Sequence, residues 1–216
     1  MKKKLINYLI YSLVVILNIS YIYCHGMLMD PVNRGSAWRL GFNTPVNYDD
    51  NANYCGGANI HHSVNHGKCG ACGDDYRDSV PRKNENGGYY GTGVIVKNYT
   101  EGQEFIATVK ITANHRGYFE FSICSLDDIN VIENDECFDN HPVETIDGNL
   151  QWKLPTNESR EFDIGLVLPA GLTCQHCSLR WNYVTANSWG ICKNQTGAVG
   201  CGPQETFRTC SDIKIL

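Results

Sequence analysis

The sequence lacks several features that would point to common protein classes. Its 216 residues contain no internal repeat and no low-complexity linker, so neither a repeat protein nor a string of loosely joined domains is expected. Lysine and arginine total 18 against 23 acidic residues, and no basic patch stands out, so nucleic acid is not an expected partner. No helix-period segment of ten or more residues is present, which argues against an α-helical domain.

A long apolar run occurs at the very start of the chain. Lysines at positions 2–4 precede the stretch LINYLIYSLVVILNISYIYC, a pattern typical of a secretory signal peptide. Cleavage is expected after Cys24, with cleavage after Ser20 as the main competitor. A membrane anchor is the alternative, but polar residues interrupt the run and no basic stop-transfer cluster follows it. We therefore predict a signal peptide over residues 1–24 and a single secreted domain over 25–216, with no membrane contact after cleavage.

Cysteine is abundant in the predicted secreted part. Ten cysteines remain after Cys24, and an even number in a secreted chain predicts five disulfides. The spacings Cys69–Cys72 and Cys174–Cys177 also mimic zinc-ligand pairs, but an oxidising compartment favours disulfides. The secreted part carries a formal charge of −8, because three of the 18 basic residues and none of the 23 acidic ones lie in the leader. Three glycosylation sequons begin at Asn98, Asn157 and Asn194.

Alternating apolar and polar residues fill most of the second half of the chain. Such period-two alternation is typical of half-buried antiparallel strands. The stretches are GVIVKNY, EFIATVKIT, GYFEFSIC, EFDIGLVLP, SLRWNYVTA and ETFRTCSDIKIL. Residues 34–90 lack this period and predict a long loop with short helices, pinned by Cys55, Cys69 and Cys72. The predicted fold is all-β: an antiparallel sandwich of the immunoglobulin or fibronectin kind with long disulfide-pinned loops.

A histidine directly follows the expected cleavage site. If the mature chain begins at His25, its α-amine nitrogen and its ring Nδ1 can close a six-membered chelate ring around a metal ion. Tetragonal nitrogen ligation favours Cu(II). The best partner is His115, in the stretch TVKITANHRGYFEF, where one predicted strand ends and the next begins, with Gly117 supplying the turn. The alternative interpretation of His115 is a solvated turn residue.

The stretch GCGPQETFRTCSDIKI adds two further candidate residues. Glu205 and Phe207 are two apart on a predicted strand, so we expect them to share a face. A phenylalanine near an axial position would limit ligand access to a metal, and a nearby carboxylate could move protons. The alternative is a core phenylalanine with a surface glutamate. A weaker candidate for a second metal site is HHSVNH, with His61, His62 and His66.

Six stretches together carry a family resemblance, in order from His25 nearly to the C-terminus. They are HGMLMDPVNRGSAWR, NYCGG, KCGACGD, TANHRGYFEF, CQHCSLRWNYVTANSWG and GCGPQETFRTCSDI. With them the chain resembles the lytic polysaccharide monooxygenases, closest to auxiliary-activity family 15. The resemblance implies one copper ion held by the amine and ring of His25 and the ring of His115. It also implies Ala113 beside the metal, Phe207 at the axial position and, by a looser match, Glu205 as an acid in the second sphere.

The reaction that the resemblance implies is oxidative cleavage of β-1,4 glycosidic bonds in chitin or cellulose. An external electron donor reduces the copper, hydrogen peroxide or dioxygen serves as co-substrate, and hydrogen is abstracted at C1 or C4 of a sugar. The implied partner is an insoluble polysaccharide, and the implied enzyme is a secreted, extracellular monomer. The alternative is a non-catalytic secreted carbohydrate-binding or copper-binding protein on the same fold.

Aromatic residues in the long loop are candidates for contacts with sugar rings. Aromatic faces can stack on sugars, although packing within the loop is the alternative interpretation for each of them. These residues are Trp38, Phe42, Tyr48, Tyr54, Tyr76, Tyr89 and Tyr90. No pair of carboxylates of the glycosidase type is evident in the sequence.

Overall fold

The computed structural model describes residues 25–128 and 130–216, and the predicted signal peptide lies outside the described residues. Eleven strands occur in the described part: β1 His25–Asp30, β2 Lys97–Tyr99, β3 Glu104–Ala113, β4 Tyr118–Ser125, β5 Pro142–Thr145, β6 Trp152–Lys153, β7 Glu161–Val167, β8 Cys174–Val184, β9 Trp189–Ile191, β10 Gly197–Val199 and β11 Thr206–Ile215. The helices there are short: a 3₁₀-helix Ala37–Leu40, a π-helix Ile60–Val64 and the α-helix α1, Asp135–Asp139. None of the helices in these two ranges is long and apolar enough to cross a membrane.

Nine of these strands form one curled sheet with the order β1-β3-β7-β5-β4-β8-β11-β2, and β6 pairs with β4. Strand β5 pairs with both β7 and β4, so it connects a layer of β1, β3 and β7 to a layer of β4, β8, β11 and β2. The pairings within this sheet are antiparallel except that of β2 with β11, which is parallel. The predicted all-β sandwich is confirmed.

The core lies between the two layers and is built from the residues that alternate along the strands. The buried side chains predicted from alternation are Phe105, Ala107, Val109, Ile111, Phe119, Phe121, Ile123, Phe162, Ile164, Leu166, Leu168, Leu179, Trp181 and Tyr183. Phe119 lies at the centre of the aromatic part, with its ring centroid 5.4 Å from Trp181 and 5.1 Å from Tyr183. Five strands outside the predicted stretches also form, and GVIVKNY supplies only the three residues of β2.

Strand β11 departs from the half-buried pattern, because both of its faces are covered. One face packs in the core, and the loop of residues 34–90 covers the other. Arg34 fastens this loop: its guanidinium binds Asp212 twice, at 2.9 and 2.6 Å, and contacts the Glu133 carboxylate. Burial alone would raise the pKa of Asp212, but the charges and hydrogen bonds of Arg34 and His176 together outweigh it and hold that pKa at about 2. Removal of either partner of such a buried ion pair strongly destabilises a protein, because the remaining charge is left buried and unpaired.

Five disulfides join the ten cysteines, as predicted. The pairs are Cys55–Cys69, Cys72–Cys210, Cys124–Cys137, Cys174–Cys177 and Cys192–Cys201. The two cysteines of CGAC therefore have different partners, and those of CQHC pair with each other. Across the described ranges, the one group of side chains close enough to hold a metal in the way zinc clusters do is Cys72, Glu133 and Cys210, whose sulfurs are joined in a disulfide. The zinc alternative is not supported.

Candidate metal centre

The pairing of the edge strand β1 with β3 brings the first candidate ligand to the second. In the antiparallel register His25 lies opposite Ala113, and Gly26 lies opposite Ile111. Ala113 is the last residue of β3, and His115 follows it by two residues. The two candidate histidines, far apart in sequence, therefore lie at the same edge of the sheet, and Ala113 lies beside His25.

Gly26 allows this close approach of β1 to the core. A Cβ atom at position 26 would lie 2.6 Å from Cδ1 of Ile111 and 3.0 Å from Cη2 of Trp181. Both neighbours are buried core side chains that have little room to move. The absence of a side chain at this position thus sets how near the backbone of His25 comes to β3.

A tight turn carries His115 between the two layers. Arg116 and Gly117 both have positive φ, 57° and 93°, and a Cβ at Gly117 would collide with the Val184 carbonyl. The backbone of His115 is held on both sides: its N–H donates to Tyr183 Oη at 3.1 Å, and its carbonyl accepts from the Ala186 N–H at 2.9 Å. The turn predicted at Gly117 is confirmed, and the backbone of His115 is bound by the protein on both sides.

The ring of His115 is oriented through one of its two nitrogens. Its Nδ1 lies 2.6 Å from the side-chain amide of Asn187, so Nε2 is the nitrogen that remains for a metal. Partial burial, followed by the nearby charge of His25, lowers the pKa of His115. The electrostatic influence of His25 indicates that the two imidazoles are close, and a lowered pKa favours the neutral ring that metal binding requires.

Phe207 lies beneath the His25 ring. It is fully buried, its ring centroid is 6.4 Å from that of His25, and it also contacts Tyr54 and Tyr183. Glu205 lies just before β11, which begins at Thr206, so the expectation that both residues lie on one strand was wrong. Its carbonyl accepts from the Thr185 N–H at 3.1 Å, and burial raises the pKa of its carboxyl group.

This donor set fits copper. Two imidazoles at one exposed edge offer nitrogen ligands, and a chain that begins at His25 would add an amine nitrogen at the same position. Three nitrogens without a thiolate or carboxylate favour Cu(II) over softer or harder metals. The buried Phe207 offers no polar atom below His25, so the nitrogens dominate the site.

The histidines of HHSVNH do not form a second centre of this kind. The rings of His61 and His62 stack at 4.1 Å. Their Nε2 atoms donate hydrogen bonds to the carbonyls of Gly67 and Gln204, at 2.9 and 2.7 Å respectively. Burial is the main reason that the pKa of His61 falls to about 4. His61 thus makes a structural contact within the long loop, and His62 joins that loop to the segment before β11.

A hairpin that the sequence reasoning missed projects next to His115. Strands β9 and β10 pair with each other, and the Cys192–Cys201 disulfide closes the hairpin. Trp189 is 66 % exposed, and a Cβ at Gly197 would lie 2.5 Å from its ring, so this glycine lets one face of the indole rest on the hairpin. Two cysteines nine residues apart around a glycine-rich segment were the signal that could have revealed it.

The aromatic residues of the long loop differ in their exposure to solvent. Tyr48, Tyr76 and Tyr89 are exposed, whereas Trp38, Phe42, Tyr54 and Tyr90 are half-buried. Tyr54 packs against Phe207, with the ring centroids 6.2 Å apart, so it supports the candidate centre from below. The Gly26 N–H donates to the Asn51 carbonyl at 3.3 Å, which ties the same part of the loop to β1.

Comparisons with known proteins identify the class. Residues 25–213 match the model of a family described as "Lytic polysaccharide mono-oxygenase, cellulose-degrading". The chain belongs to the lytic polysaccharide monooxygenases, copper enzymes that cleave polysaccharides oxidatively. A search of curated proteins found no match.

Solved structures place the chain within that class. It is similar to a lytic polysaccharide monooxygenase of family AA15 from Thermobia domestica in the Cu(I) state, with 44% identity over 88% of this chain and 98% of that one, and a TM-score of 0.86. An AA10 enzyme from Streptomyces lividans shares the fold, with 16% identity over 88% of this chain and 99% of that one, and a TM-score of 0.52. The protein is an AA15 lytic polysaccharide monooxygenase that uses copper.

The close approach at Gly26 generates a test. Gly26→Ala should weaken copper binding and lower the melting temperature, because the added methyl group meets Ile111 Cδ1 and pushes β1 away from β3. Overpacking of this kind typically costs about 1–3 kcal/mol. Ile111→Val removes that Cδ1 atom, so the double variant should be less destabilised than the sum of the two single variants. Thermal unfolding and copper titration of all four proteins measure the effect, and simple additivity would contradict it.

Proposed function

We propose that this enzyme cleaves β-1,4 glycosidic bonds in chitin, cellulose or both, at one copper ion held by His25 and His115. The observation that carries the proposal is the register of β1 on β3, which aligns His25 with Ala113 and so brings both imidazoles to one edge of the sheet. His25 would bind through its amine and its ring, and His115 through Nε2. An exposed edge suits an insoluble polymer, which cannot enter a deep pocket.

The amine of His25 makes this proposal depend on processing. It becomes a ligand only when the chain is cleaved after Cys24, and we propose that residues 1–24 direct secretion and are then removed. An α-amine has a pKa of about 8, and a bound cation lowers it further, so the neutral form is accessible near neutral pH. Five disulfides agree with folding in an oxidising, extracellular environment.

Other residues would shape the surroundings of the copper. Bound copper, once reduced by an external donor, would supply one-electron chemistry that allows hydrogen peroxide, or dioxygen with two further electrons from that donor, to oxidise a sugar C–H bond. Phe207 closes the site from below with an apolar ring, so no protein oxygen is placed there. Ala113 is small and leaves room beside His25. Glu205, with its raised pKa, can hold or release a proton at its carboxylate.

The hairpin of β9 and β10 would provide a contact with the polysaccharide next to the copper. Trp189 follows Asn187 by two residues, so their Cα atoms are at most about 7 Å apart. Because Asn187 touches the His115 ring, the exposed indole lies within reach of a sugar close to the cleaved bond. Gln204 holds the base of the hairpin by donating to the Cys201 and Ser188 carbonyls, at 2.7 and 3.1 Å. We propose that the protein acts as a monomer.

Product analysis tests this function. Protein beginning at His25, loaded with copper and given a mild reductant and peroxide, should release C1- or C4-oxidised oligosaccharides from chitin, cellulose or both, as seen by mass spectrometry. His115→Ala should abolish these products and lower copper affinity by orders of magnitude, because only the His25 chelate remains. His176→Ala, which changes a histidine bound to Asp212, serves as the control. A copper-loaded protein that binds both polymers but yields no oxidised products would favour the non-catalytic alternative.

Trp189 permits a separate test of the binding surface. Trp189→Ala should weaken binding to the insoluble polymer by about fivefold or more, because truncating an aromatic side chain that anchors an interface typically costs more than about 1 kcal/mol. Copper affinity should stay at the wild-type value, since the indole is not a ligand. Ile106→Ala is the control: this exposed side chain lies on β3 seven residues before Ala113, about 23 Å along the strand. Pull-down with chitin and with cellulose measures the difference. Equal binding by both variants would show that the hairpin does not contact the polysaccharide.

A further inference from the structure

The side chains of His115, Asn187 and Thr185 form a short hydrogen-bonded row. Nδ1 of His115 lies 2.6 Å from the amide nitrogen of Asn187, and the amide oxygen of Asn187 accepts from Thr185 Oγ1 at 3.0 Å. Thr185 is 1 % exposed, and its backbone N–H is bound to the Glu205 carbonyl, so this end of the row is fixed. The backbone of His115 is held from both sides as well. The amide of Asn187 is therefore the element of the row that can turn.

The row has two arrangements in which each of its hydrogen bonds is made. In the first, the amide nitrogen of Asn187 donates to Nδ1 of His115 and the Thr185 hydroxyl donates to the amide oxygen. The neutral ring then carries its proton on Nε2, which prevents that nitrogen from binding a metal. In the second, the amide is rotated by 180°. The amide oxygen then accepts from Nδ1–H, the amide nitrogen donates to Thr185 Oγ1, and the lone pair of Nε2 is available.

We infer that the Asn187 amide turns from the first arrangement, which the structure shows, to the second, so that Asn187 is a positioning residue that holds the proton of His115 on Nδ1 and presents Nε2 to copper. The inference rests on the proposed ligation by His115. Metal-binding histidines commonly donate their other ring N–H to an outer partner, which fixes the tautomer and the orientation of the ring. Among the hydrogen bonds of the described residues, the contact with Asn187 is the one made by the His115 ring.

The chemistry of the amide explains the choice of residue. An amide oxygen accepts from Nδ1–H without adding charge, whereas a carboxylate would accept the same proton more strongly and make the ring more basic. A leucine at this position would keep much of the volume but offer no acceptor. Loss of such an outer partner typically costs about 10- to 100-fold in metal affinity.

The experiment compares wild type with Asn187→Leu and Asn187→Asp. In the metal-free protein, two-bond ¹⁵N–¹H NMR should show the proton of His115 on Nδ1 in wild type and Asn187→Asp, and a shift toward Nε2 in Asn187→Leu. Copper titration should show a 10- to 100-fold loss for Asn187→Leu and recovery to within about threefold of wild type for Asn187→Asp. The EPR spectrum of Cu(II) should change in Asn187→Leu. Asn187 is exposed, so the fold should survive each change, as circular dichroism will verify.

Two further variants distinguish a failure of the positioning role of Asn187 from a failure of the proposed copper ligation by His115. Asn130→Leu, at an exposed asparagine whose amide donates to Asp128, should leave the tautomer and the copper affinity unchanged. If His115→Ala loses copper but Asn187→Leu keeps both the tautomer and the wild-type affinity, the positioning role is overturned and the proposed site stands. If His115→Ala binds copper as tightly as wild type, the proposed ligation fails, and the role of Asn187 in metal binding fails with it.

Discussion

The antiparallel pairing of β1 with β3 is the contact on which the proposed metal centre depends. His25 and His115 are far apart in the sequence, and the register that aligns His25 with Ala113 brings them to one edge. An edge strand has a partner on one side only, so its position relies on backbone hydrogen bonds to that partner and on close packing. Gly26 supplies the close packing, because any side chain there would meet the buried Ile111 and Trp181.

The rest of the molecule keeps this edge in place. The long loop covers the outer face of β11, and the buried ion pair of Arg34 with Asp212 fastens it there, together with the Cys72–Cys210 disulfide. The same loop places Tyr54 against Phe207, whose ring lies beneath His25. The packing beneath His25 thus includes contacts that a sandwich without the loop would lack.

His115 is held by a different part of the chain. The end of β8 and the segment that follows it bind its backbone through Tyr183 and Ala186 and its ring through Asn187. The segment then continues into the hairpin that carries Trp189. One short stretch therefore orients a proposed ligand and presents a proposed contact for the substrate, which couples the position of the copper to that of the polymer.

The sequence was sufficient for much of the fold, and it named two histidines that the structure brings to one edge of the sheet. Alternation predicts the central strands because their inner faces are apolar, and it fails for β1, whose pattern is blurred by burial on both sides near Gly26. It also misplaces Glu205, because the start of β11 is set by pairing with β8 and not by the residue pattern. The sequence did not predict the roles of Asn187 and Trp189, because these roles depend on contacts between distant parts of the chain. Such contacts leave no periodic pattern in the local sequence.

The most direct test of the central claim is pulsed EPR of the Cu(II)-loaded protein that begins at His25, with the histidines labelled with ¹⁵N. The account predicts couplings to two different imidazole rings and to one amine nitrogen. A spectrum with a single imidazole, or one unchanged after an extra residue is added before His25, would contradict it. Either result would mean that the pairing of β1 with β3 does not build the copper site.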